Sequence, residues 1–85
     1  MATASPSPTP NPDAMKYTLD TTLADTITAS GPADAAGDPF LEALVGTQGV
    51  ASVFGINDFV TVTRQPGADW DTITAAVQAA AAAHL

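Results

Sequence analysis

Nine carboxylates, one histidine and no cysteine are what this 85-residue chain offers for chemistry. Without cysteine there is no thiolate to act as nucleophile, redox centre or soft metal ligand. Zinc and iron–sulfur clusters normally take Cys or several His. The one histidine, His84, stands near the C-terminus behind a run of alanines, with no fixed neighbour to orient it. Ser and Thr are plentiful, but nucleophilic catalysis also needs a base and an orienting group within hydrogen-bond reach. Hard cations accept carboxylates, yet the acidic residues are scattered along the chain and none forms a calcium-type loop. Asp69 and Asp71 read as helix-start residues. Gly46 and Gly49 lack the spacing that wraps a pyrophosphate. The expectation is a non-enzyme with no catalytic residues, no metal ligands and no cofactor.

Charge narrows the partners. Two cations against nine acids give a formal net charge of −7, and two cations cannot form the basic cluster that neutralises phosphates. Nucleic acid and an anionic membrane surface are therefore excluded as expected partners, whereas a basic protein surface suits this balance. No apolar run approaches the ~20 residues of a membrane helix, and the N-terminus lacks a secretory signal. The expected location is the cytoplasm.

The elements that would position any working surface follow from periodicity. Residues 1–10, MATASPSPTP, are small, polar and proline-rich, which predicts a disordered tail, and residues 11–85 are the expected domain. Asn11-Pro12-Asp13 is a turn signal. Residues 14–20 alternate, with Met15, Tyr17 and Leu19 on one side, and predict a half-buried strand. A weaker alternation through Leu23, Asp25, Ile27 and Ala29 predicts a second strand, joined to the first as a hairpin through Thr21-Thr22. Ser30 to Gly37 reads as a loop. Asp38-Pro39 opens a short helix, Asp as cap and Pro at the first helical position, with Leu41, Leu44 and Val45 on its apolar face.

Residues 50–56 and 59–65 are the clearest strands, and Asn57-Asp58 fits a two-residue hairpin loop. That loop sets Ile56 opposite Phe59, Val53 opposite Val62 and Phe54 opposite Thr61. Val53, Val60 and Val62 then share the core face, while Phe54, Ile56 and Phe59 lie together on the other. A last helix runs from about Asp69 to Ala83, its stripe made of Trp70, Ile73, Val77 and Ala80. The order β-β-α-β-β-α predicts an α+β domain in two layers, a four-stranded, mainly antiparallel sheet with both helices on one face. Such a domain covers only one side of its sheet. Phe54, Ile56 and Phe59 on the uncovered side would form an exposed apolar patch of the kind that marks protein-binding surfaces.

Three segments resemble the N-terminal domain family of Nfu/NifU-type iron–sulfur scaffold proteins. TPNPDAMKY (Thr9 to Tyr17) is similar to that family's TPNPNAMKF opening. GVASVFGINDFVTVTR (Gly49 to Arg64) is similar to its GV.SVFFGPDFITVTK hairpin, with a glycine displaced to Gly55. Ala68-Asp69-Trp70-Asp71 resembles the ADWDELK start of its last helix, and Asp38-Pro39-Phe40-Leu41 resembles its SPLA helix start. The resemblance covers most of residues 9–75 and implies the same β-β-α-β-β-α layout. It also implies a role in iron–sulfur cluster assembly or delivery, sometimes described as iron binding. In full-length scaffolds the cluster is held by a CxxC motif in a separate C-terminal domain. With no cysteine here, what the resemblance implies is an accessory or recognition role toward a scaffold or client protein. The alternative is a general protein- or peptide-binding module of unknown pathway with no cluster role. The expected partner contacts are Phe54, Asp58 and Phe59 at the hairpin, with Asn11, Asp13 and Lys16 where the first strand begins.

Overall fold

In the computed structural model of this chain, residues 2–9, 11–23, 26–30 and 37–85 are described. Five strands and two helices follow in the order β1 (Ala4–Pro8), β2 (Ala14–Leu19), β3 (Ile27–Ala29), α1 (Pro39–Val45), β4 (Val50–Ile56), β5 (Phe59–Arg64) and α2 (Trp70–His84). The strands form one antiparallel sheet in the order β1-β2-β5-β4-β3. The α+β class holds; the expected four strands are five.

The extra strand corrects the reading of residues 1–10 as a disordered tail and of residues 11–85 as the whole domain. β1 pairs along its length with β2, Ala4 opposite Leu19 through Pro8 opposite Met15. Proline cannot donate to a ladder and is confined to sheet edges. The prolines at 6 and 8 stand two apart on the outermost strand, so both can turn the side that lacks N–H away from β2. Ala2 and Ala4 alternate inward and are buried. The last helix anchors them, since the Ala2 amide donates to the Ala81 carbonyl at 3.4 Å and Gln78 Nε2 donates to the Ala4 carbonyl at 3.2 Å. A segment too polar to order itself is ordered by what it lies against.

The hairpin expected through Thr21-Thr22 is a second correction. Both sides of β2 are occupied, by β1 and β5, and β3 pairs instead with β4 at the far edge. After β2 the chain crosses the tip of the β4–β5 hairpin, where the Leu19 amide donates to the Asp58 carbonyl and the Leu23 amide to the Asn57 carbonyl, each at 2.6 Å. Leu23 and Ile27 then pack so close to β4 that a Cβ on Gly55 would stand 2.7 Å from Ile27 Cγ1 and 3.0 Å from Leu23 Cδ1. Gly55 makes room for that crossing. The part of the second-strand reading that includes Asp25, and most of the expected loop from Ser30 to Gly37, lie outside the described residues.

The central hairpin forms as its alternation requires. Ile56 pairs with Phe59, Val53 with Val62 and Phe54 with Thr61, around Asn57 at φ 57°, a conformation that Asn tolerates. One irregularity between Val50 and Ser52 leaves Ala51 without a partner across the ladder. Asp38 caps α1 by accepting from the Leu41 amide at 3.1 Å, with Pro39 at the first helical position. Asp69 caps α2 by accepting from the Asp71 amide at 3.0 Å.

Both helices cover one face of the sheet. Phe40, Leu41, Leu44 and Val45 of α1 and Ile73, Val77, Ala80 and Ala81 of α2 form one cluster with Tyr17, Val53, Val60 and Val62. Alanine at 80 and 81 lets α2 lie close to the small residues of β1. Within this core Tyr17 is fully buried, its hydroxyl 2.9 Å from Thr74 Oγ1. Burial pushes the phenol pKa above its usual 10.0, and the Thr74 hydrogen bond only partly offsets this. A raised phenol pKa means that the unfolded chain ionises first. Stability contributed by the neutral phenol is therefore complete below pH 10 and falls as pH rises above it. Urea melts between pH 8 and 11.5 should show that fall, and Tyr17→Phe, at a cost of about 0.5–1.5 kcal/mol below pH 10, should flatten it.

Candidate functional site

The uncovered face of the sheet is built by the alternate positions of every strand. One row runs Thr28, Phe54, Thr61, Lys16, Ser7 from β3 across to β1, and the next runs Ile56, Phe59, Thr18, Ser5. Both helices pack on the opposite side, and no described element caps these rows. Phe54 is 44% exposed, the one large hydrophobic residue so exposed among those described. Ile56 and Phe59 are half-buried beside it. Lys16 Nζ lies 4.6 Å from the centroid of the Phe59 ring, a cation–π contact between neighbouring strands. Such a contact at an exposed position contributes about 0.5–1 kcal/mol and holds the ammonium over the apolar patch.

The expected partner-contact residues therefore separate into groups. Lys16, Phe54 and Phe59 come together on the open face. Asp58 stands exposed at the hairpin tip, at the end of the sheet where Asp20 also lies. Asn11 and Asp13 are elsewhere, in the β1–β2 turn at the opposite end. There Asn11 Oδ1 accepts from the Asp13 amide at 2.9 Å, and Asp13 Oδ1 pairs with Arg64 Nε at 3.2 Å. Arg64 also donates to the Ala68 carbonyl at 3.0 Å and stacks 5.4 Å from the Trp70 ring centroid. Trp70 Nε1 donates to the Pro12 carbonyl at 3.3 Å. The turn is thus fastened to the start of α2 through Asp13 and Pro12, while Asn11 bonds within the turn itself.

Sequence reasoning missed Ser5, Ser7, Thr18 and Thr28 on the open face. Ser5 and Ser7 were hidden by the tail reading. Thr18 and Thr28 had the right alternation, but the strand order needed to bring them beside Phe59 and Phe54 is not encoded in local pattern.

Four of the described acidic residues have local tasks. Asp38 and Asp69 cap helices, Asp13 pairs with Arg64, and Asp20 accepts from the Thr3 amide at 2.9 Å. Among the described residues no three His, Asp or Glu gather in a group that could hold a metal ion. A shallow cleft of about 350 Å³ opens beside the α2 N-terminus, between Gln48, Gly49, Gln65, Pro66 and Asp69. Its one titratable wall is Asp69, whose carboxylate is engaged by the Asp71 amide and the Thr72 hydroxyl. No described helix is long and apolar enough to cross a membrane.

Comparison with known proteins gives concordant results. The family model described as scaffold protein Nfu/NifU N terminal matches residues 5–85. Two curated relatives called conserved virulence factor C, from Staphylococcus aureus strains bovine RF122 and MRSA252, are 32% identical over 74 residues, 86% of this chain. That alignment covers 20% of each relative, so this chain spans about a fifth of their length. Among solved structures, the crystal structure of protein SAV1430 from Staphylococcus aureus superposes with a TM-score of 0.79 at 30% identity, covering 94% of this chain and 98% of that one. The solution structure of SeR13 from Staphylococcus epidermidis gives 0.60 at 27% identity, covering 98% of each.

Proposed function

The chain belongs to the scaffold protein Nfu/NifU N-terminal family, and on that premise we propose that it is a non-catalytic recognition domain in iron–sulfur cluster assembly or delivery. It acts in the cytoplasm by docking onto a scaffold or client protein, and the cluster stays with that partner. The single observation that supports this reading is the uncovered sheet face, where Phe54 is 44% exposed and Phe59 carries Lys16 on its ring. An exposed apolar patch is costly in water and usually marks a protein contact. Docking on this side leaves the helical side and its caps undisturbed.

Cluster chemistry on this chain alone is disfavoured by the donors available. A cluster takes thiolates, and the sequence has none. Iron as a loosely held ion would need converging carboxylates, and the acids described above point to separate local partners. Affinity isolation of the tagged chain from its own cells is the test. Recovery of a cluster-assembly protein, or of a protein that receives clusters, is the expected result. Recovery of the chain with no such protein removes this reading.

A further inference from the structure

On a chain of net charge −7, the described residues of the uncovered sheet face form an island without carboxylates. The two rows that cross it contain Ser, Thr, Phe, Ile and one Lys, and no Asp or Glu stands at any of their positions. The third row, Ala14, Thr63 and Ser52, adds none. Among the described residues Lys16 is therefore the only formal charge on the face. Its ammonium rests on the Phe59 ring and has no ion-pair partner among the described residues, where the ion pair present is Arg64–Asp13. Asp20 and Asp58 lie beyond the strand ends.

Charge over the whole molecule attracts cations at long range, but in physiological salt such fields decay within about 8–10 Å. At contact distance the local pattern decides, and here it is the reverse of the global one. We propose that the face receives a partner segment that sets a carboxylate on Lys16 and covers Phe54 and Phe59 with apolar or aromatic side chains. This rests on the recognition reading above and specifies the chemistry of the partner.

Two other occupants fit less well. A second copy facing this one would offer Lys16 a surface with no acid at its described positions, and would join two chains of −7 each. A strand added at an edge would meet β1, where proline interrupts the donors, or β3, which is three residues long. The occupant lies across the face and does not extend the sheet.

Three small probes share a phenyl ring and differ in charge: 3-phenylpropionate, its neutral amide, and 2-phenylethylammonium. Each is titrated at millimolar concentration into the full chain while backbone amide resonances are followed. The carboxylate is expected to shift Lys16, Phe54, Phe59 and Thr61 and to bind about two- to fivefold more tightly than the amide, the range of an exposed ion pair, with the ammonium weakest. Lys16→Met should erase the preference for carboxylate over amide while the amide still binds. The proposal is overturned if the ammonium binds the face best, if all three bind equally, or if no face resonance moves. It is also overturned if those resonances shift with protein concentration alone, which would identify a second copy. None of these outcomes bears on whether a cluster protein is recovered with the chain, so failure here and failure of the recognition reading are separable.

Discussion

Phe54→Asp is expected to weaken partner capture by tenfold to a hundredfold or more and to leave stability within about 0.5 kcal/mol of the parent. Removing an aromatic anchor from the centre of an interface commonly costs about 2–4 kcal/mol, and each 1.4 kcal/mol is roughly a factor of ten in affinity. Here the substitution also places a carboxylate where the partner would bring its own. The fold should not register the change, because Phe54 points away from the core and is 44% exposed. Polar substitutions at such surface sites usually stay within about 0.5 kcal/mol. Ala75→Glu, on the exposed side of α2, serves as the control and should leave capture unchanged. Affinity measured on the recovered partner, together with urea melts of each variant, separates the two effects. Equal losses from Phe54→Asp and Ala75→Glu would place the contact on neither face in particular.

Leu44→Ala is expected to have the largest effect on stability, a loss of about 2–5 kcal/mol. Leu44 is fully buried between the helices and the sheet. Alanine there forfeits the transfer free energy of three carbons and leaves a cavity that a short helix, held by Asp38 and Pro39 at one end, can only partly close. A domain of this size has a total stability of about 4–13 kcal/mol, so the variant loses a large share of it. Its urea midpoint should drop with little change in slope. A midpoint within experimental error of the parent would mean that α1 is not packed as described.

The contrast between these two substitutions follows from burial, Phe54 on the open face and Leu44 in the core, and both placements were partly legible in local pattern. Strands β4 and β5 carry alternating Val and Phe around Asn57-Asp58, and a two-residue loop admits one register. Pairings and faces could therefore be assigned from sequence. The helix caps were equally plain, since Asp38-Pro39 and Asp69 place an acceptor next to free amides. By contrast, β1 was invisible. Its composition is that of a disordered tail, and its order comes from Ala2 and Ala4 fitting under α2, contacts more than seventy residues distant along the chain. The pairing of β2 was misread for a related reason. Thr21-Thr22 looks like a hairpin only if β2 has a free side, and both sides are taken by strands remote in sequence.

The candidate site divides along the same line. Phe54 and Phe59 were legible because their register depends on one loop. Lys16 was named as a contact of the first strand, but its position over Phe59 depends on β2 pairing with β5. Asn11 and Asp13 have the residue types of a contact turn; in the structure Asp13 pairs with Arg64 and Asn11 accepts from the Asp13 amide. Trp70 behaves likewise: half-buried at the start of α2, it holds the turn through Pro12 and stacks on Arg64.

The measurement that bears most directly on whether this domain works by surface and not by ligation is anaerobic isolation with iron and acid-labile sulfide determined per chain. They should be measured before and after any companion protein is stripped away. The expected result is that both elements leave with the companion and the remaining chain carries neither. Stoichiometric iron and sulfide retained by the chain alone would contradict it.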